Sequence, residues 1–350
     1  MNKKLCALAA AATMTLPALA QAQQAATGPD VYGRANLSFD IIDNGDKTAG
    51  NVSSSSSRLG FKGSNPLNYG LTAIYQIEAE ILFDSGASTA LSSRDSFAGI
   101  RGDFGMLRLG RFDTPLKTVR SRTDLFGDQV GDARNITAGG FARNFDNRFR
   151  NTIHYRTPTL GALTVDLAYS TAEGRTTTAG DSNTDTDAYS GSVTFAEGPL
   201  MVIAAYERYS QEAQNTDSDP SAFRVGGTYD LGAIRLAAFY QNSKDDANLG
   251  DAEVFGFGAR YTMGDGAISA QYYTNNTDNA RGDSDMFAVG YSHKLARNFT
   301  AYVNYARVDN DDNANLNPYS GSRTGAVGSE LAGPVGDNKT AISTGFSYSF

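Results

Sequence analysis

Apolar and polar residues alternate with a period of two through segment after segment of this chain. In 31–41 the odd positions are Val31, Gly33, Ala35, Leu37, Phe39 and Ile41, whereas the even ones are Tyr32, Arg34, Asn36, Ser38 and Asp40. Successive side chains of a strand point to opposite faces, so such a segment has one apolar face and one that can meet water. The pattern returns at 58–64, 71–83, 97–102, 105–112, 148–157, 163–170, 188–195, 200–208, 222–230, 234–241, 253–261, 267–274, 285–293, 299–308 and 340–350. In 148–157, Phe149, Ile153 and Tyr155 oppose Arg148, Arg150, His154 and Arg156. No run at helical spacing competes with it beyond the first twenty residues. The fold class read from this is all-β, with about sixteen strands.

The connections alternate as well. Those at 157–161, 196–199, 230–233, 262–266 and 293–298 are short and carry turn residues, whereas 43–57, 171–187, 209–221, 242–252, 275–284 and 309–339 are long and polar. Long and short connections in turn define an up-and-down antiparallel meander with every long loop at one end. Short turns at one end and long loops at the other are the pattern of a transmembrane barrel. A sheet surrounded by hydrocarbon must close on itself, because an open edge leaves backbone groups unpaired. A barrel of about sixteen strands is wide enough to hold water. Aromatic residues on the apolar parity, among them Tyr155, Tyr206, Phe255, Tyr291 and Tyr348, are placed to form girdles at the two membrane interfaces.

The first twenty residues read as a secretory signal peptide: Lys3 and Lys4, an apolar run from Leu5 to Leu16, then Pro17-Ala18-Leu19-Ala20. The expected organisation is therefore a leader over 1–20 and a single barrel domain over 21–350. Cys6 is the single cysteine and lies in the leader, so thiolate metal sites and disulfides are not expected in the barrel. The formal charge of −8 becomes −10 without the two leader lysines, which argues against a nucleic-acid partner.

One polar stretch does not fit an ordinary strand connection. Residues 113–147 carry Asp113, Lys117, Arg120, Arg122, Asp124, Asp128, Asp132, Arg134, Arg143 and Asp146 with scattered apolar residues between them. A structureless connection of this length is expected to be functional or disordered. In a closed barrel its natural place is across the lumen, as a constriction.

The chain resembles the general porins of Gram-negative outer membranes, the trimeric sixteen-stranded diffusion channels, over its length after the leader. The likeness rests on Asp30-Val31-Tyr32-Gly33-Arg34, Ser57-Arg58-Leu59-Gly60-Phe61-Lys62-Gly63, Leu109-Gly110-Arg111, Arg150-Asn151-Thr152-Ile153-His154-Tyr155 and the terminal Gly345-Phe346-Ser347-Tyr348-Ser349-Phe350. The resemblance implies a third long loop folded into the barrel, opposed by a basic wall. Asp113, Asp124, Asp128 and Asp132 would then be the acidic side, and Arg34, Arg58, Lys62, Arg101, Arg108, Arg148 and Arg150 the basic side. Asp124-Leu125-Phe126-Gly127-Asp128 stands where the enteric members often carry Pro-Glu-Phe-Gly. Neutralising Asp124 and Asp128 together is expected to shift ion preference toward anions. Phe346, Tyr348 and Phe350 resemble the terminal signal read by outer-membrane assembly machinery. The implied partners are two further copies of the chain, outer-membrane lipid and lipopolysaccharide, that machinery, and small hydrophilic solutes. The implied location is the outer membrane, and no cofactor is expected.

Other chemistries are thinly represented. The histidines are His154 and His293, and no Gly-x-Ser-x-Gly elbow accompanies them, so an enzyme is not expected. The Asp309–Asn313 run lacks the glycine and glutamate of a calcium loop, with Ala314 and Ser320 in those places. A substrate-specific channel remains the alternative, but the aromatics of inward parity, Tyr32, Phe239, Tyr273 and Tyr302, do not form an evident sugar track.

Overall fold

The structure is a computed structural model that describes residues 27–138, 144–171, 187–210, 219–244, 251–278, 282–319 and 333–350. The leader, Arg143 and parts of five expected outer loops lie outside the described residues. The strands are β1 (Thr27–Asp43), β2 (Thr48–Ser54), β3 (Arg58–Pro66), β4 (Thr72–Glu80), β5 (Ser96–Gly102) and β6 (Gly105–Asp113). After two helices, α1 (Pro115–Thr123) and α2 (Arg134–Thr137), come β7 (Arg148–Arg156), β8 (Leu163–Ser170), β9 (Ala188–Glu197), β10 (Leu200–Tyr209) and β11 (Ser221–Leu231). The remainder are β12 (Ile234–Lys244), β13 (Ala252–Met263), β14 (Gly266–Thr277), β15 (Ser284–Ala296), β16 (Phe299–Asn310) and β17 (Lys339–Ser349).

From β3 to β17 every strand pairs antiparallel with the next, and β1 pairs with β17 from Arg34↔Ser349 to Asp43↔Thr340, which closes the ring. Both β2 and β3 pair with β1, through Leu37↔Ser54 and Val31↔Phe61. They are two halves of one wall strand, interrupted at Ser56, whose φ is 56°. The architecture is a closed sixteen-stranded antiparallel barrel. All sixteen alternating segments found in the sequence are strands of this wall.

The two faces sort as the alternation requires. Phe39, Ile41, Leu167, Tyr206, Phe255, Phe257 and Ile342 stand exposed on the outside, while Asn36, Asp40, Arg224, Gln241, Gln271 and Asn304 are buried on the inside. The usual soluble arrangement is inverted, as hydrocarbon outside and water inside demand. Among the described residues no helix is long and apolar enough to cross a membrane; the crossing is made by strands. Tight turns at Gly232 and Gly264, with φ of 61° and 59°, join strands at the short-turn end. At the seam the terminal residue is held by two backbone hydrogen bonds, Gly33 N to Phe350 O at 2.8 Å and Phe350 N to Gly33 O at 3.1 Å. Phe346, Tyr348 and Phe350 follow one another on the outer face, with Tyr348 and Phe350 in ring contact at 5.8 Å.

Two expectations are corrected. The stretch 43–57 is not a long loop: Thr48–Ser54 continues the wall, and only residues 44–47 turn. The small residues Ala49, Gly50 and Ser53 disguise its strand character. Secondly, Phe149 is not on the outer face. A bulge at Asn151, with φ of 48°, shifts the register between β6 and β7, so Phe149 is fully buried inside while Ile153 stays outside. An extra residue reverses the alternation on one side of it. The parity that assigned Arg148 and Arg150 to the inner wall therefore fails beyond the bulge. Arg148 still turns back to an ion pair, whereas Arg150 is exposed.

Candidate functional site

The 113–147 segment is ordered by its own chemistry where it is described. Thr114 caps α1 by accepting from Lys117 N at 3.2 Å, and Pro115 opens the helix, where its missing N–H costs nothing. Asp124 ends the helix. Its carboxylate accepts from Phe126 N at 2.9 Å and Ala133 N at 3.0 Å, tying the turn after α1 back on itself.

At the centre sits Arg120, with almost no exposed surface. It reaches Asp146 at 2.6 Å, Asp124 at 3.1 Å and Asp132 at 3.2 Å, and these three carboxylates are themselves enclosed. Burial alone would lower the guanidinium's affinity for its proton; the three carboxylates, Asp146 foremost, outweigh it and raise its pKa. The acids respond in opposite directions. Burial, then repulsion from Asp132, pushes Asp124 up to about 7. Asp146 is also opposed by burial, but Arg120 and Arg224 hold it well below the usual carboxylate range.

From this hub the segment is tied to one side of the wall. Leu116 N donates to Ser190 Oγ on β9 at 3.1 Å, and Arg224 on β11 reaches Asp146 at 2.6 Å. Gln241 on β12 donates to Thr137 O at 3.1 Å. Gln271 on β14 accepts from Leu125 N at 2.9 Å and donates to Gly131 O at 2.8 Å. Asn304 on β16 donates to Gln129 at 2.8 Å, and Arg34 on β1 pairs with Asp128 at 2.9 Å. Between these ties Leu116, Val119, Ile136 and Phe145 bury their side chains among Phe149, Tyr209, Phe239, Tyr273 and Met286. Each such large apolar side chain contributes roughly 1.5–3 kcal/mol on removal from water. Phe239 and Tyr273, whose rings lie 5.8 Å apart, thus form a bed for this segment and not a sugar track. Gly256 has no Cβ because the Tyr273 ring lies flat against its backbone.

The opposite sector, β3 to β7, carries a band of charge. Glu78 accepts from Arg94 at 2.7 Å and from the Tyr32 hydroxyl at 2.9 Å, with Arg58 at 3.8 Å. Arg148 pairs with Asp95 at 2.7 Å and Asp113 at 3.0 Å, and Lys117 pairs with Asp113 at 2.8 Å. Asp166 pairs with Arg156 at 2.7 Å and with His154 at 2.8 Å. Arg108 is held between the Phe97 and Phe112 rings, 4.8 and 4.1 Å from their centroids, and donates to His154 Nδ1 at 3.2 Å. Lys62 lies over the Tyr32 ring at 4.9 Å, and Arg101 is exposed.

The acids and bases named from the sequence therefore have unequal surroundings. Asp124 and Asp132 face into the segment; Asp113 and Asp128 are partly exposed and paired. Among the described residues Lys62, Arg101 and Arg108 have no carboxylate at ion-pair distance, unlike Arg34, Arg58 and Arg148. Sequence reading placed Asp146 in the segment without a role, and missed Glu78, Arg224, Arg94, Asp95 and Asp166 as site residues. The inner parity of Arg224, Asp166 and Glu78 was available as a signal; nothing in the sequence marked Asp146 as the partner of two arginines.

A closed sixteen-stranded barrel with an apolar exterior and a polar interior defines an outer-membrane channel. The chain belongs to the Gram-negative porin family, whose model matches residues 7–313. It is 29% identical over 257 residues to outer membrane porin protein 32 of Delftia acidovorans, covering 71% of this chain and 72% of that protein. It is 28% identical over 261 residues to the major outer membrane protein P.IB of Neisseria meningitidis serogroup B, covering 72% and 73%. Its fold is similar to that of an anion-selective porin from Comamonas acidovorans, with TM-score 0.77, 23% identity and coverage of 92% and 99%. The protein is an outer-membrane porin, a water-filled channel for passive diffusion of small hydrophilic solutes and ions.

Proposed function

We propose that residues 113–147 cross the lumen as the constriction of this channel, and that the remaining aperture, bounded by the β3–β7 sector, favours anions. Two facts support the crossing: the segment's partners are inward-facing side chains, and they run from β9 round to β1. The single observation that carries the preference is the imbalance in pairing. Asp113, Asp124, Asp128, Asp132 and Asp146 each have a cation at ion-pair distance, whereas Lys62, Arg101 and Arg108 have no carboxylate partner among the described residues. A paired carboxylate contributes little field to the water beside it, and cations without an ion-pair partner in a narrow low-dielectric passage concentrate anions. The Comamonas acidovorans porin of similar fold is anion-selective, which accords with this reading.

The test is the reversal potential of single channels in a potassium chloride gradient. Wild type should be anion-preferring, and Lys62→Gln with Arg101→Gln should move the potential toward the cation side. A cation-preferring wild type, or a double variant with an unchanged potential, refutes the preference. The same reading gives the protein a cleaved leader over 1–20, a trimeric assembly, lipid and lipopolysaccharide around its outer belt, and a terminal assembly signal at Phe346, Tyr348 and Phe350. An outer membrane protein of Vibrio cholerae with a similar fold occurs in a trimer form, which supports the assembly. No catalytic step is assigned: His154 is engaged by Arg108 and Asp166 as part of the wall.

A further inference from the structure

We propose that a recess beneath the tip of the 113–147 segment is a binding subsite for small aromatic carboxylates; this rests on the reading that the segment lies in the lumen. The recess holds about 320 Å³ between Leu125, Phe126 and Gln129 as its roof and the inner face of β13 to β17 as its floor. Its cause is visible in the register. Ser269, Gly290 and Asn304 lie in one row across β14, β15 and β16, and Ala267 pairs with Ser292 in the row below. Apart from Asn304 these side chains are small, so the wall is hollowed where the roof overhangs it. A Cβ at Gly290 would come within 2.9 Å of the Phe126 ring, so that ring rests on bare backbone.

The charge in the recess is asymmetric. Arg260 and Lys294 line it against a single carboxylate, Asp265. The Arg260 guanidinium is aimed by two hydrogen bonds, Nε to Ser269 Oγ at 2.8 Å and Nη2 to Leu125 O at 2.7 Å. Neither partner is charged, and among the described residues Arg260 has no ion pair. Its side chain lines a space roofed by Leu125 and Phe126. A planar fork of donors beside an apolar roof fits a carboxylate carried on a flat ring: the carboxylate meets the guanidinium and the ring packs beside Leu125 and Phe126. The volume is at the small end for ligand pockets, which limits the guest to one ring. Inorganic anions would meet the guanidinium without using the roof, and uncharged aromatics would use the roof alone.

Benzoate is the probe. Added to the wild-type porin in a planar bilayer, it should reduce potassium chloride current in a saturable way, and acetate and benzyl alcohol should each need about tenfold more. Loss of one charge-assisted hydrogen bond makes Arg260→Gln raise the half-blocking benzoate concentration about tenfold. Ala267→Leu, which fills the recess and leaves Arg260 in place, should raise it comparably. Wild-type block in either variant, or acetate as effective as benzoate, overturns the proposal. Block is read from whichever ion carries the current. A cation-preferring channel that benzoate still blocks through Arg260 and Ala267 would remove the selectivity reading and leave the recess standing.

Discussion

Replacing Arg120 with methionine tests whether the charged hub holds the segment in place. The side chain keeps its stem and loses the guanidinium that Asp124, Asp132 and Asp146 share at 3.1, 3.2 and 2.6 Å. Removing one partner from a buried ion pair costs about 3–5 kcal/mol, because the other charge is left in a dry site. Arg134 still lies 3.6 Å from Asp132, and Arg224 still holds Asp146, so the low end, about 3 kcal/mol, applies. That moves the balance between held and released segment by roughly a hundredfold. No wall residue loses a backbone hydrogen bond, so the barrel itself should keep its resistance to detergent unfolding. Single-channel recordings should show higher conductance with frequent transitions, and a protease added from the long-loop side should cut within 113–147.

The pH dependence follows from the same hub. Asp124, raised to about 7, holds a proton in the docked segment that it gives up in the released one above about pH 4. Docking therefore strengthens as pH falls from about 7 toward about 4. Asp146, held low, contributes while ionised, and that contribution fades once pH drops below about 4. Wild-type recordings should be quietest near pH 5, and Asp124→Asn should flatten the profile between pH 5 and 8. Conductance, noise and protease resistance in Arg120→Met equal to wild type would refute the hub as the fastening.

The remaining expectations separate charges that the sequence grouped together. Asp128→Asn should shift reversal potentials toward anions, because Asp128 is partly exposed, whereas Asp124→Asn should not, because its side chain is enclosed. Reversal potentials of the two single variants check this, and equal shifts would contradict the placement. Phe149→Ala, which removes a fully buried ring 5.5 Å from that of Tyr209, should cost about 3–5 kcal/mol of packing, read as a lower unfolding temperature together with noisier channels.

The wall was legible because its rule is local. Every strand obeys a two-residue period that needs no knowledge of its neighbours, so all sixteen segments could be found one at a time. One error fell where small residues hide a strand, at 48–54, and the other where a single residue breaks that rule. Asn151 adds one position to β7 and turns Phe149 inward, and nothing in Arg150-Asn151-Thr152 announces a left-handed backbone. The site was legible as a place more than as an arrangement. The charge density of 113–147 pointed to it, but whether an aspartate faces water or an arginine depends on contacts between residues far apart. Arg224 and Asp146 are 78 positions apart, and Gln271 and Leu125 are 146. The segment's apolar residues looked scattered because their periodicity belongs to the inner surface they rest on.

The seam has a consequence for how the molecule comes into being. Its first wall strand can be paired along its whole length only when the last one arrives, since Arg34 meets Ser349 and Gly33 bonds to Phe350. Until that pairing forms, two strand edges remain open and the greasy exterior has no partner. A chain cut short by even one strand cannot complete the cylinder.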